Sequence, residues 1–264
     1  MKFERKEKYN IEDMREIMRI LRSEDGCPWD RVQTHESIRK NLIEETYEVV
    51  EAIDQNDPEM LREELGDVLL QVIFHSQMEE EKSVFSFDDV VNEICQKLIV
   101  RHPHIFGNVT VSGVDDVLNN WNAIKQETKG QTTAAETLHS VPKQLPALMR
   151  TEKVQSRAKK ANSCFGYADV DAAMKDFTAE TAELREAIES GDTEAMADEL
   201  GDVLFAAVNV ARKLDADPEE LLTRSCDKFI DRFEKVENGA REKGILLKDA
   251  QRPLLDELWK KAKE

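Results

Sequence analysis

Glycine and proline are scarce, 10 and 7 in 264 residues, and with hydrophobic residues at 40% this argues against a disordered chain and suits a helix-rich fold. Cysteine is rarer still. Cys27, Cys95, Cys164 and Cys226 stand far apart and form no C-x-x-C pair, so they read as buried free thiols of a reducing compartment, and the cytoplasm is expected. No run of eighteen apolar residues occurs without a charge, and the opening segment MKFERKEKYNIEDM has no apolar centre. Neither a membrane span nor a secretion signal is therefore expected, and no membrane partner. Cations are in deficit, 37 Lys and Arg against 55 Asp and Glu for a net charge of −18. A surface that negative gives poor purchase on a phosphate backbone, so no nucleic-acid partner is expected. Alternating five-residue strand patterns with hairpin turns are missing too, which leaves an all-α class.

What is present is a repeat of long period. Residues 45–74 and 180–209 align without a gap and are identical at 14 of 30 positions. In both, an apolar-periodic stretch breaks at a short polar turn, Gln55-Asn56-Asp57-Pro58 in one and Ser190-Gly191-Asp192-Thr193 in the other. Each copy therefore holds a helix–turn–helix hairpin. The second helix of each pair turns almost wholly apolar after its acidic start at Glu64 or Glu199, the pattern of a helix buried in a bundle. A further helix is expected over Phe87 to Val100 and over Pro218 to Glu237. Pro142 and Pro146, after the Gly130-Gln131-Thr132-Thr133 loop, mark a connector. The expected organisation is two tandem duplicated helical-bundle domains, residues 1–130 and 151–264, joined through residues 131–150.

Each copy places carboxylates where they crowd one another. Glu44, Glu45 and Glu48 fall on the first helix of the first hairpin, and Glu64 and Asp67 on the second. Glu180 and Glu183, then Glu199 and Asp202, repeat the pattern at identical spacing. Acids three apart share a helix face, and the two pairs meet if the hairpin folds back. Like charges that close repel unless a cation stands between them. Mg²⁺ suits such a set, because it takes oxygen ligands and keeps waters that a substrate phosphate can replace. A plain solvated acidic face is the bland alternative for one such motif, and its duplication argues against it. A carboxylate-bridged di-iron site would need Glu-x-x-His, whereas Asp67 and Asp202 stand at that place. His102 and His104 have no counterpart in the second copy and read as loop or capping residues.

The repeat extends to cations and an aromatic. Lys97-x-x-x-Arg101 follows the first acids and Lys228-x-x-x-Arg232 the second, then Trp121-x-x-x-Lys125 and Trp259-x-x-x-Lys263. Residues four apart share a face. Acids for a metal, Arg and Lys for phosphate oxygens and a flat ring for sugar or base together suit a nucleoside triphosphate. Core packing is the alternative for the two tryptophans. No GxxxxGK loop occurs, so phosphate recognition would fall to side chains and metal.

With these residues in place the chain resembles the MazG nucleoside triphosphate pyrophosphohydrolases of the all-α NTP pyrophosphatase superfamily. The likeness rests on an E-E-x-x-E segment followed by E-x-x-D. Here they stand as Glu44-Glu45-Thr46-Tyr47-Glu48 with Glu64-Leu65-Gly66-Asp67, and as Glu180-Thr181-Ala182-Glu183 with Glu199-Leu200-Gly201-Asp202. GCPWD at 26–30, RHPHIFG at 101–107 and KFIDRF at 228–233 spread it over nearly the whole chain. The resemblance implies Mg²⁺-dependent hydrolysis of NTPs and dNTPs, ATP among them, to the monophosphate and pyrophosphate, a homodimer, and a role in clearing excess or non-canonical nucleotides. It implies metal binding by Glu45, Glu48, Glu64 and Asp67 and by Glu180, Glu183, Glu199 and Asp202. Nucleotide contact would fall to Lys97, Arg101, Trp121 and Lys125, and to Lys228, Arg232, Trp259 and Lys263. Glu44, Glu45 and Glu180 are the candidate catalytic carboxylates that help deprotonate an attacking water. One departure stands out: Ala179 occupies the place of Glu44 in the second copy. GCPWD also gives way to Cys164-Phe165-Gly166-Tyr167, which implies different base pockets. A nucleotide-binding regulatory module without turnover is the rival function, and a pure interaction scaffold a further one.

Overall fold

The computed structural model describes residues 3–128 and 130–263. They form thirteen α-helices and two short 3₁₀ turns, with no strand among the described residues, and the chain divides into two compact units at Lys125 and Gln126.

The first unit runs α1 (Ile11–Arg22), α2 (Pro28–Val32), α3 (His35–Asp54), α4 (Pro58–Glu81), α5 (Phe87–Arg101) and α6 (Pro103–Phe106), then enters α7 (Val114–Thr128). Local chemistry sets the starts. Asn10, Thr34 and Ser86 each cap a helix in a reciprocal capping box with Asp13, Ser37 and Asp89, filling backbone N–H groups that have no intrahelical partner. Asp57 caps α4 without a reciprocal partner, accepting from the Glu59 and Met60 N–H groups, and Pro58 follows in the first turn. Helices α3 and α4 pack as a hairpin, with α1 and α5 against α4. The core lies toward the C-terminal half of α4, where Ile73, Phe74 and Met78 meet Met18 and Ile38.

The second unit holds α8 (Ala134–His139), α9 (Ala147–Ala161), a 3₁₀ turn at Ser163–Phe165, α10 (Val170–Ser190), α11 (Thr193–Lys213), α12 (Pro218–Glu242), a second 3₁₀ turn and α13 (Arg252–Ala262). Helices α10 and α11 form its hairpin, α9 packs on α11, and α13 on α12. The two hairpin turns solve one problem twice, since Asn56 (φ 53°) and Gly191 (φ 77°) occupy equivalent places in the left-handed region. Asn and Gly are the residues that enter it at least cost. Val236, Ala240, Leu258 and Ala262 form a core between α12 and α13.

Three features depart from the sequence pattern. The early apolar stretches of α4 and α11 are not buried within their units, since Leu65, Leu69, Leu200, Leu204 and Phe205 are all exposed. Few helices are available in each unit to cover both faces of a central one. Cys95, Cys164 and Cys226 are exposed and Cys27 is half-buried, all four free, in place of the buried thiols expected. Residues 131–150 include α8, which has its own capping box from Thr133 and Glu136 and packs on α9 inside the second unit.

Candidate functional site

In the first unit α3 carries Glu45 and Glu48, and α4 carries Glu64 and Asp67. The hairpin folds these helices face to face, and one carboxylate oxygen from each of Glu45, Glu48 and Glu64 falls within 4.8 Å of the others. Burial, then the neighbouring Asp67 and Glu48, pushes the Glu45 carboxyl above its ordinary range. Burial and then Glu48 do the same to Glu64. Glu44 turns elsewhere, its carboxylate accepting an ion-paired contact from Lys40 Nζ at 2.8 Å.

The second unit repeats the arrangement with a different trio, as Glu180, Glu199 and Asp202 bring carboxylate oxygens within 4.8 Å. Glu180 is pushed up by burial and then by Glu183 and Asp176; Glu199 is pushed up by burial and then by Glu183 and Asp202. Both sets are all-oxygen, multiply anionic and mutually repelling, which is the donor chemistry of a hard divalent cation.

Sequence reasoning passed over Asp176 and named Tyr167 only within the segment that replaces GCPWD. The Tyr167 hydroxyl donates to Asp176 Oδ2 at 2.5 Å, and burial followed by that carboxylate pushes the phenol up to about 12. Asp176 precedes Glu180 by four residues on α10, a spacing that puts both on one face. That spacing was the available signal.

The cations gather differently in the two units. In the second, Lys228 and Arg232 of α12 and Lys263 beyond α13 line one cleft of about 450 Å³, with Arg224 and Lys235 added and Asp227 and Asp231 between them. Trp259 packs against the α12–α13 core, its ring 5.2 Å from that of Phe229. In the first unit the Arg101 guanidinium lies over the Trp121 ring at 5.3 Å, a cation–π contact. His102, which links α5 to α6, packs its ring 4.9 Å from Trp121 and sets Nδ1 at 2.6 Å from the Leu98 carbonyl. Lys97 pairs with Glu93 at 3.1 Å, and Lys125 follows Trp121 by one turn on α7.

Comparison with known proteins agrees with the duplicated architecture. The model of the MazG nucleotide pyrophosphohydrolase domain matches twice, over residues 33–106 and 169–237. The nucleoside triphosphate pyrophosphohydrolase/pyrophosphatase MazG of Thermotoga maritima is 39% identical across 96% of this chain and 95% of its own length. The nucleoside triphosphate pyrophosphohydrolase of Escherichia coli is 38% identical across 96% and 97%. The uncharacterized protein YabN of Bacillus subtilis is 43% identical across 97% of this chain, which spans about half, 52%, of that relative.

Proposed function

This chain belongs to the MazG nucleotide pyrophosphohydrolase family, and on that premise we propose that it hydrolyses NTPs and dNTPs to the monophosphate and pyrophosphate with Mg²⁺. The observation that carries this reading is the meeting of Glu45, Glu48 and Glu64, and of Glu180, Glu199 and Asp202, each set within 4.8 Å. Glu45, Glu48, Glu64 and Asp67 would hold the ion in the first unit, and Glu180, Glu183, Glu199 and Asp202 in the second. Bound Mg²⁺ supplies Lewis acidity at phosphate oxygens and lowers the pKa of water. The chain's own residues do the rest. Glu45 and Glu180 take the proton of the water that attacks the α-phosphorus, and Glu44, held by Lys40, acts in the first unit through its charge, which raises the proton affinity of Glu45. Lys228, Arg232 and Lys263 neutralise the charge of departing pyrophosphate in the second unit, and Lys97, Arg101 and Lys125 in the first. Trp121 and Trp259 present ring surface to sugar or base. The activity clears excess or non-canonical nucleotides in the cytoplasm, and two copies of the chain associate through faces that include the exposed Leu65, Leu69, Leu200 and Leu204. Pyrophosphate release from a panel of NTPs and dNTPs with Mg²⁺ tests it. Absence of release from every nucleotide sinks the enzyme reading and leaves a nucleotide-binding regulatory module, a role that Ala179 in the place of Glu44 favours for the second unit.

A thermal measurement tests the metal independently. A carboxyl whose pKa is raised in the folded state binds protons better folded than unfolded, so its contribution favours the fold at low pH and is lost as pH rises through that pKa. Glu45, Glu64, Glu180 and Glu199 are all raised from an ordinary 4.5. In chelator, these four therefore destabilise the protein most at pH 7.5 and progressively less toward pH 5. Mg²⁺ at a hundred times its Kd adds about 2.7 kcal/mol. The Tm gap between Mg²⁺ and chelator is expected to be widest at pH 7.5 and to shrink toward pH 5; identical melting curves with and without Mg²⁺ at pH 7.5 would refute the metal sites.

A further inference from the structure

Beside the second acidic set lies a cavity of about 620 Å³. The repeat locates one of its walls. In the first unit Phe74 is buried against Ile38 and Ile73; the same register puts Asn209 where Phe74 stands, and Ala173 and Val208 where Ile38 and Ile73 stand. Of these three, Asn209 alone lines the cavity, and small residues of α8 and α9, Ala134, Ala135 and Ala158, border it as well. Aromatic rings edge it as well. Phe165 is 68% exposed, and it lines the cavity together with Tyr167 and Phe205.

Two amides also line this cavity, and they differ in what they have left to give. Gln155 is satisfied, its Nε2 donating to the Phe205 carbonyl at 2.7 Å and its Oε1 facing Arg212 at 3.5 Å. Asn209 is only 6% exposed, and its Oδ1 accepts from Arg212 at 3.1 Å. Its amide nitrogen has no hydrogen-bond acceptor among the described residues. A cavity-lining N–H donor without a protein acceptor, in an aromatic-edged space, is matched by a flat ring bearing a carbonyl. Tyr167 ties the cavity to the acids, because it lines the one and hydrogen-bonds Asp176 beside Glu180 in the other. Phe205 does so from α11, one turn beyond Asp202.

We propose that this cavity binds the base of the nucleotide whose phosphates meet Glu180, Glu199 and Asp202, and that Asn209 selects bases carrying a ring carbonyl, hypoxanthine and guanine above adenine. The inference rests on the reading of that acidic set as a triphosphate site. Asn209 donates to the base carbonyl, Phe165 and Phe205 cover the ring faces, α8 closes one wall, and Trp259, which does not line this cavity, is left to the sugar. The first unit, with Phe74 in place of Asn209, has no such selector.

Nucleosides test this without phosphate, metal or turnover. Inosine and adenosine titrated calorimetrically into the full chain should differ about tenfold in Kd in favour of inosine, the worth of one neutral hydrogen bond. Asn209→Leu should erase the preference. Asn209→Asp, which presents an acceptor in place of the donor, should shift it toward adenosine and its amino group. Ala135→Trp, at an exposed position on the cavity wall, should weaken both nucleosides at least tenfold while the Tm stays near wild type. Equal binding of the two nucleosides by wild type, no binding of either, or an inosine preference that survives in both Asn209 variants overturns the proposal. If pyrophosphate release is intact in that event, only the base pocket has failed. Inosine selection by a chain that releases no pyrophosphate instead keeps the pocket and removes the enzyme.

Discussion

Glu64→Gln and Glu199→Gln made together should lower kcat/KM for pyrophosphate release at least a thousandfold, on the order of what loss of charge-stabilising groups costs. Glutamine keeps the size and one oxygen of glutamate and removes the charge, so it attacks cation binding with little change in shape. The fold should not suffer. Both carboxyls are held above their ordinary pKa by burial and by like-charged neighbours, Glu48 for Glu64 and Glu183 for Glu199, so each neutral variant relieves repulsion and should melt slightly higher than wild type in chelator at pH 7.5. Loss of turnover with a raised Tm is a signature that general misfolding cannot produce. The single variants then assign the work, because each acidic set lies inside one unit. If Glu64→Gln alone removes all release, the second unit, which has Ala179 where the first has Glu44, binds without turning over. If Glu199→Gln alone removes it, a carboxylate at the Glu44 position is dispensable for hydrolysis. Wild-type release from the double variant would refute both acidic sets as the site.

The spacing of these acids was legible because helical periodicity is local. Three- and four-residue intervals fix a shared face whatever the helix packs against, and the Asn56 and Gly191 turns, with Asp57 and Asp192 behind them, announce the fold-back in the sequence itself. Helix α8, which starts at Ala134, is legible in the same way, since Thr133 and Glu136 form the S/T-x-x-E signature of a capped start; the nearby prolines point to a connector instead. What was not legible depends on partners. Apolar periodicity marks Leu65, Leu69, Leu200 and Leu204 as one kind of residue with Ile73 and Phe74, yet only the latter two are buried within the unit. Cysteine's general preference for burial likewise gave way at Cys95, Cys164 and Cys226, where few helices cover the surface. The Tyr167–Asp176 bond depends on the path of the chain through the 3₁₀ turn at Ser163–Phe165, and no interval in the sequence encodes that path. Asn209 stands out only once its register partner Phe74 is known to fill a core.

A second large effect is expected at Gly26, and its cause is contact instead of backbone freedom. Gly26 closes the chain back on the end of α1: its N–H donates to the Ser23 carbonyl at 2.9 Å, and the next N–H, of Cys27, to Leu21 at 2.8 Å. A Cβ there would stand 2.3 Å from the Leu21 carbonyl oxygen and 2.4 Å from that of Ile20. Both are backbone atoms of the last turn of α1, so relief requires the turn or the loop to shift, and α1 supplies Met18 to the core. Gly26→Ala should therefore cost about 3 kcal/mol, a fall in Tm of roughly 6–12 °C for a chain of this size. Gly66 and Gly201 supply the contrast, because they lie inside α4 and α11 and an added Cβ meets nothing within 4 Å. Alanine at a helix interior is favoured over glycine by about 1 kcal/mol, so Gly66→Ala and Gly201→Ala should raise the Tm. Thermal denaturation of the three variants by circular dichroism checks the set. An unchanged Tm for Gly26→Ala would mean that the loop leaves α1 at no cost. A lowered Tm for Gly66→Ala or Gly201→Ala would mean that something outside the unit packs on that glycine, and the exposed leucines beside each, Leu65 and Leu200, make a second copy of the chain the surface to look for.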